Sequence, residues 1–75
     1  MIIPFHKDDA RYGMFLIYNG SSIYKITKVN GNKADLISFG FLICGRIVEH
    51  DDKMLLRGIF LNNFNQAYVP SVKMK

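Results

Sequence analysis

Short runs of alternating apolar and polar residues make up most of this chain, and pairs suited to tight turns separate them, a period near two that specifies strands rather than helices. Asn19-Gly20 and Asn30-Gly31 each stand between two such runs. Both residues of an Asn-Gly pair tolerate positive φ, which makes the pair a strong hairpin signal. The flanking runs, residues 14–18, 23–29 and 33–39, have strand length and are rich in Ile, Tyr, Val, Phe or Leu. A third reversal is expected at His50-Asp51-Asp52-Lys53, a polar stretch between the apolar runs 41–49 and 54–61.

Cross-strand chemistry discriminates between registers. In the second hairpin, a turn centred on Gly31-Asn32 sets Tyr24 opposite Phe39, Ile26 opposite Ile37 and Lys28 opposite Asp35. Centring on Asn30-Gly31 loses these matches but suits a type I′ turn better, so both registers stay open. In the third, pairing about Asp51-Asp52 aligns Gly45 with Gly58, Arg46 with Arg57, Ile47 with Leu56 and Val48 with Leu55. Paired glycines there imply a bend or close backbone approach, as at the corner of a small barrel. No segment sustains a period near 3.6, and only residues 7–12 and 62–67 offer short helices.

Length narrows the picture further. A chain of 75 residues holds one domain, here with its core over about residues 13–69 and a flexible basic tail at 70–75. Apolar residues form 49% of it, enough for a folded core. Cys44 is the sole cysteine, which excludes an intrachain disulfide and points to a reducing, cytoplasmic setting. The first six residues lack a basic n-region and a sustained apolar stretch, so no export is expected. The apolar runs at 39–44 and 54–61 fall far short of the roughly 20 residues a membrane helix needs, and no membrane partner is expected.

The Tyr-Lys-Ile-Thr-Lys-Val strand at 24–29, followed by Asn-Gly-Asn-Lys-Ala-Asp-Leu, lies among five strands in meander order. Over about residues 13–61 this resembles a small SH3-like barrel of the KOW or Tudor kind. The resemblance implies an all-β fold, a five-stranded antiparallel barrel or curled meander sheet with little helix, that binds nucleic acid or a protein. The abundance of Ile, Asn and Lys in so short a chain also resembles accessory proteins of AT-rich bacteriophages. That resemblance implies a modulator or inhibitor of a host protein complex, acting in the host cytoplasm.

A formal charge of +4 permits a polyanionic partner, although the basic residues are scattered along the chain. Arg46 and Arg57, if paired, would be unfavourable neighbours unless an anion or carboxylate shared them. Lys25, Lys28 and Lys33, with Tyr24 and Thr27, could line a basic strand face, although alternation sends Tyr24 and Ile26 to the core and leaves Lys25 and Thr27 in water. Cys44, His50, Asp51 and Asp52 are metal-ligand types without a zinc spacing, and Cys44, within an apolar run, is expected in the core. No metal or other cofactor is expected. No phosphate-binding glycine loop or His-Glu zinc motif occurs, and nothing in the spacing joins a nucleophile to a base, so catalysis is not expected.

Residues 41–48 and 54–61 are apolar on both alternating faces, so one face is covered by the termini or serves as an interface. The leading expectation is therefore a non-catalytic protein-interaction module using Arg46, Arg57, Phe60, Phe64 and Tyr68, with a host protein or a second copy as partner. The alternative is a nucleic-acid-binding barrel using Lys25, Lys28, Lys33, Arg46 and Arg57.

Overall fold

A computed structural model describes residues 1–70, and the rest of the expected tail, residues 71–75, lies outside the described residues. Seven strands form one antiparallel sheet: β1 (Ile2–Pro4), β2 (Phe15–Tyr18), β3 (Ser22–Asn30), β4 (Lys33–Ile43), β5 (Arg46–Glu49), β6 (Leu55–Phe60) and β7 (Gln66–Tyr68). Their order is β1-β7-β2-β3-β4-β5, with β6 also paired to β4. The all-β class stands, but the strands number seven rather than five and the sheet does not close into a barrel. Short 3₁₀ turns at Lys7–Asp9 and Leu61–Asn63 replace the two expected helices.

The first two hairpins form where the Asn-Gly pairs stand. Asn19 and Gly20 take φ of 54° and 77° between β2 and β3. The β3–β4 turn is centred on Gly31-Asn32, with Asn30 opposite Lys33 and Lys28 opposite Asp35. Beyond that point the expected register slips by one residue, so Ile26 faces Leu36 and Tyr24 faces Ser38. Thr27 is the extra residue on β3, and Phe39, extra on β4, restores the register at Ile23 and Gly40. The slip sets Ile26 against Leu36, both fully buried.

The third hairpin is not the expected one. The chain reverses at Cys44-Gly45, with φ of 52° and 78°, and β5 folds back on β4 with Arg46 opposite Ile43 and Glu49 opposite Gly40. β6 then continues along the same edge of β4, with Leu55 opposite Ile37 and Phe60 opposite Lys33. β5 and β6 are thus two ends of one interrupted strand, and the mirrored pairs from Gly45/Gly58 to Val48/Leu55 do not form. The polar stretch is an excursion around the Phe39 bulge, held by His50 N–H on the Phe39 carbonyl and Ser38 N–H on the Met54 carbonyl. Cys44 is exposed at a turn rather than buried in the core.

Phe5, Leu16, Ile26, Ala34, Leu36, Leu61, Phe64 and Ala67 form the core on one face of the sheet, with Leu61 supplied by the second 3₁₀ turn and Ala67 by β7. Ile17 and Ile23, paired in register, are buried outside that cluster. The Tyr68 hydroxyl on β7 donates to the Gly45 carbonyl at the β4–β5 turn, 3.2 Å away. In a flat sheet four strand spacings, about 19 Å, would separate β7 from β5, so this bond requires a strongly coiled sheet. The termini do not cover the apolar runs 41–48 and 54–61, in which Phe41, Ile43, Val48, Met54, Leu55 and Phe60 stay exposed.

Candidate functional site

Alternation along β4 puts Ala34 and Leu36 in the core and Lys33, Asp35 and Ile37 on the opposite, outer face. Two bulges flank Asp35 on that face. Thr27 is the extra residue of β3, and on β6 both Arg57 and Gly58 lie between the partners of Leu36 and Ala34. Asp35 ties both: its backbone carbonyl accepts the Thr27 hydroxyl at 3.2 Å, and its carboxylate accepts the Gly58 N–H at 3.1 Å.

These bulges re-aim side chains. Lys25 and Lys28 differ by an odd number of positions, so a regular strand would point them to opposite faces. With Thr27 inserted, Lys25 stands opposite Ile37 and Lys28 opposite Asp35, both outward. Gly58 does the same for Arg57 and Phe60, the latter opposite Lys33. Lys25, Lys28, Lys33, Arg57 and Phe60 thereby share the outer face of three neighbouring strands, β3, β4 and β6.

The cations on this face lie beside aromatic rings. The Lys33 ammonium is 4.7 Å from the centre of the Phe60 ring, which is 48% exposed. Lys25 sits 5.9 Å from both Phe15 and Phe39, two rings in edge contact at 4.9 Å, and Lys53 sits 5.2 Å from Phe39. Lys53 is also engaged by the Glu49 carboxylate at 2.6 Å and donates to the His50 carbonyl. Lys28, Lys33 and Arg57 are exposed and form no salt bridge among the described residues, with Asp35 the acidic residue between them. Asp51 and Asp52 are exposed in the excursion beyond Glu49, so the face is most basic towards the β3–β4 turn.

The remaining expected site residues are dispersed. Arg46 is at the β4–β5 turn and Arg57 beside Asp35, eight positions apart along β4, so the arginine pair does not exist. Phe64, expected as an exposed anchor, is buried in the core, and Tyr68 is half-buried against Gly45. Phe15, Phe39 and Lys53 belong to the basic face without having been singled out from the sequence. The signal was present in Lys25 and the flanking phenylalanines, but which strand positions would meet depended on the Phe39 bulge.

A second feature lies on the core side of the sheet. Tyr18, Tyr24 and Phe64 stand edge to face at 5.8–6.5 Å around a groove of about 180 Å³ over Leu36 and Leu56. Register continues this surface from Tyr18 through Ser22 and Phe41 to Val48. Tyr18, Phe41 and Val48 in that row are exposed.

Among the described residues no group of three or more His, Cys, Asp or Glu could hold a metal ion, and no helix is long and apolar enough to cross a membrane. Comparison with protein-family models, with curated proteins and with solved structures finds no match.

Proposed function

We propose that the protein is a non-catalytic module that binds nucleic acid through the outer face of β3, β4 and β6. The observation that carries this reading is the pair of bulges about Asp35, which turns Lys25, Lys28, Arg57 and Phe60 to the face that already bears Lys33. Phosphates would be held by Lys28, Lys33 and Arg57, whose charges no acidic side chain among the described residues neutralises within salt-bridge distance. Such contacts release counterions, so affinity falls as salt rises. With about three phosphates engaged, the slope of log affinity against log salt is about −2 to −3. Replacing Lys28, Lys33 and Arg57 together by Gln removes most of that slope and lowers affinity uniformly across sequences. Polarisation titrations of a labelled oligonucleotide at several salt concentrations test this. A slope unchanged in the triple variant would place the contacts elsewhere.

A second reading, a protein-interaction module, has a separate observation in its favour. The exposed row Tyr18, Phe41 and Val48 adjoins the aromatic groove, and aromatic anchors dominate binding energy at protein interfaces. That reading expects a partner retained after nuclease treatment and released by Phe41→Asp.

A further inference from the structure

We propose that the nucleic acid taken by this face is single-stranded, and that Phe60 supplies the ring on which one base stacks. The proposal rests on the nucleic-acid reading and narrows it. Among the described residues Phe60 is the exposed ring on the outer face of the three strands β3, β4 and β6, where Phe39 is half-buried, while the exposed Tyr12 lies outside these strands beside Phe15 and Tyr68. A duplex keeps its base faces stacked against one another and offers such a ring nothing, whereas an unpaired base presents a π-face to it.

The neighbours of Phe60 fit the same ligand. Lys33 stands opposite it in register with its ammonium 4.7 Å from the ring centre, so a cation and a stacking surface lie side by side. When a base takes the ring, Lys33 moves to the adjoining phosphate. Arg57 and Lys28 stand on the next level of the sheet, flanking Asp35, where they meet the phosphate that follows.

Geometry also argues against a duplex. A two-stranded ribbon can enter a major groove about 12 Å wide. Here β6 pairs with β4 up to Lys33, the first residue after the turn, so the β3–β4 ribbon is three strands wide at its tip. Two strand spacings already take about 10 Å before any side chain is added. The tip residues, Asn30, Gly31 and Asn32, also carry no cation.

The test compares a labelled 12-nucleotide oligothymidine with a 12-base-pair duplex, by fluorescence polarisation at one salt concentration, using the wild-type chain, Phe60→Ala and Phe60→Tyr. The expected result is tighter binding of the single strand. Phe60→Ala then weakens that binding by between about fivefold and a hundredfold. Duplex binding stays unchanged in Phe60→Ala, and Phe60→Tyr restores the single-strand affinity. Equal affinity for both probes, or an equal loss on both in Phe60→Ala, would overturn the single-strand assignment while leaving the polyanion reading standing. Binding to neither probe would overturn both. Thermal unfolding of each variant separates a lost ring from a lost fold.

Discussion

At the scale of single residues, two positions on the β4–β5 hairpin fix its shape. Gly40 lies opposite Ile23 on one side and Glu49 on the other, and a Cβ built there would collide with the Val48 carbonyl oxygen. The obstruction is backbone, which cannot rotate away as a side chain can, so a methyl group forces β5 off β4. Gly40→Ala is therefore expected to cost about 1–3 kcal/mol, as overpacking of a filled site does. Urea unfolding measures this, and a change within about 0.5 kcal/mol of wild type would contradict it. Cys44 takes the left-handed conformation that Asn19 takes in the first hairpin, without the short polar side chain that eases it. Its place at a turn was hard to read because the apolar run around it argues for a strand interior.

At the scale of elements, the proposed binding face is the three-strand unit β3-β4-β6 with Asp35 at its centre. Asp35 serves the bulges through its backbone carbonyl and its carboxylate, yet its charge opposes a polyanion on the same face. The two roles separate by substitution. Asp35→Asn keeps an oxygen for the Gly58 N–H and removes the negative charge, and it is expected to tighten oligonucleotide binding about two- to fivefold. Asp35→Ala removes the acceptor, frees the β6 bulge, and is expected to lower stability by about 1–2 kcal/mol while weakening binding. If Asn and Ala affected binding alike, the carboxylate would have no positional role. The first two hairpins were legible because their turn residues act locally, Asn19-Gly20 in the first and Gly31-Asn32 in the second. The third was not, since Gly45-Arg46-Ile47-Val48 and Leu55-Leu56-Arg57-Gly58 mirror each other convincingly. Two segments that follow one another along the same edge of β4 both need strand-forming residues, and pairing them with each other satisfies that pattern as well. The deciding interactions are those with β4, far away in sequence. The basic face was hidden for a related reason: alternation divides Lys25 from Lys28 and Arg57 from Phe60, and only the bulges reunite them.

At the scale of the whole molecule, the first and last strands are brought together in the sheet, with Ile2 opposite Tyr68 and Val69 N–H donating to the Met1 carbonyl. The three-residue strands β1 and β7 could not be read from the sequence, because neither is long enough to show a period. They form only where the other is waiting. Closing that contact early would fix a loop of most of the chain, whereas β3 and β4 close through a two-residue turn, so the entropy of loop closure favours the β3–β4 hairpin as the first structure. Phe5 and Ile26 report on the two ends of this order, since both are core residues, one just after β1 and the other in the middle of β3. Phe5→Ala is expected to cost about 3–5 kcal/mol and Ile26→Val about 0.5–1.5 kcal/mol at equilibrium. The kinetic partition should differ: Phe5→Ala speeds unfolding and hardly changes folding, whereas Ile26→Val slows folding. Stopped-flow chevrons for the two variants decide it. If Phe5→Ala slowed folding in proportion to its loss of stability, the terminal strands would already be paired in the transition state, and the outer face would form only together with the whole sheet.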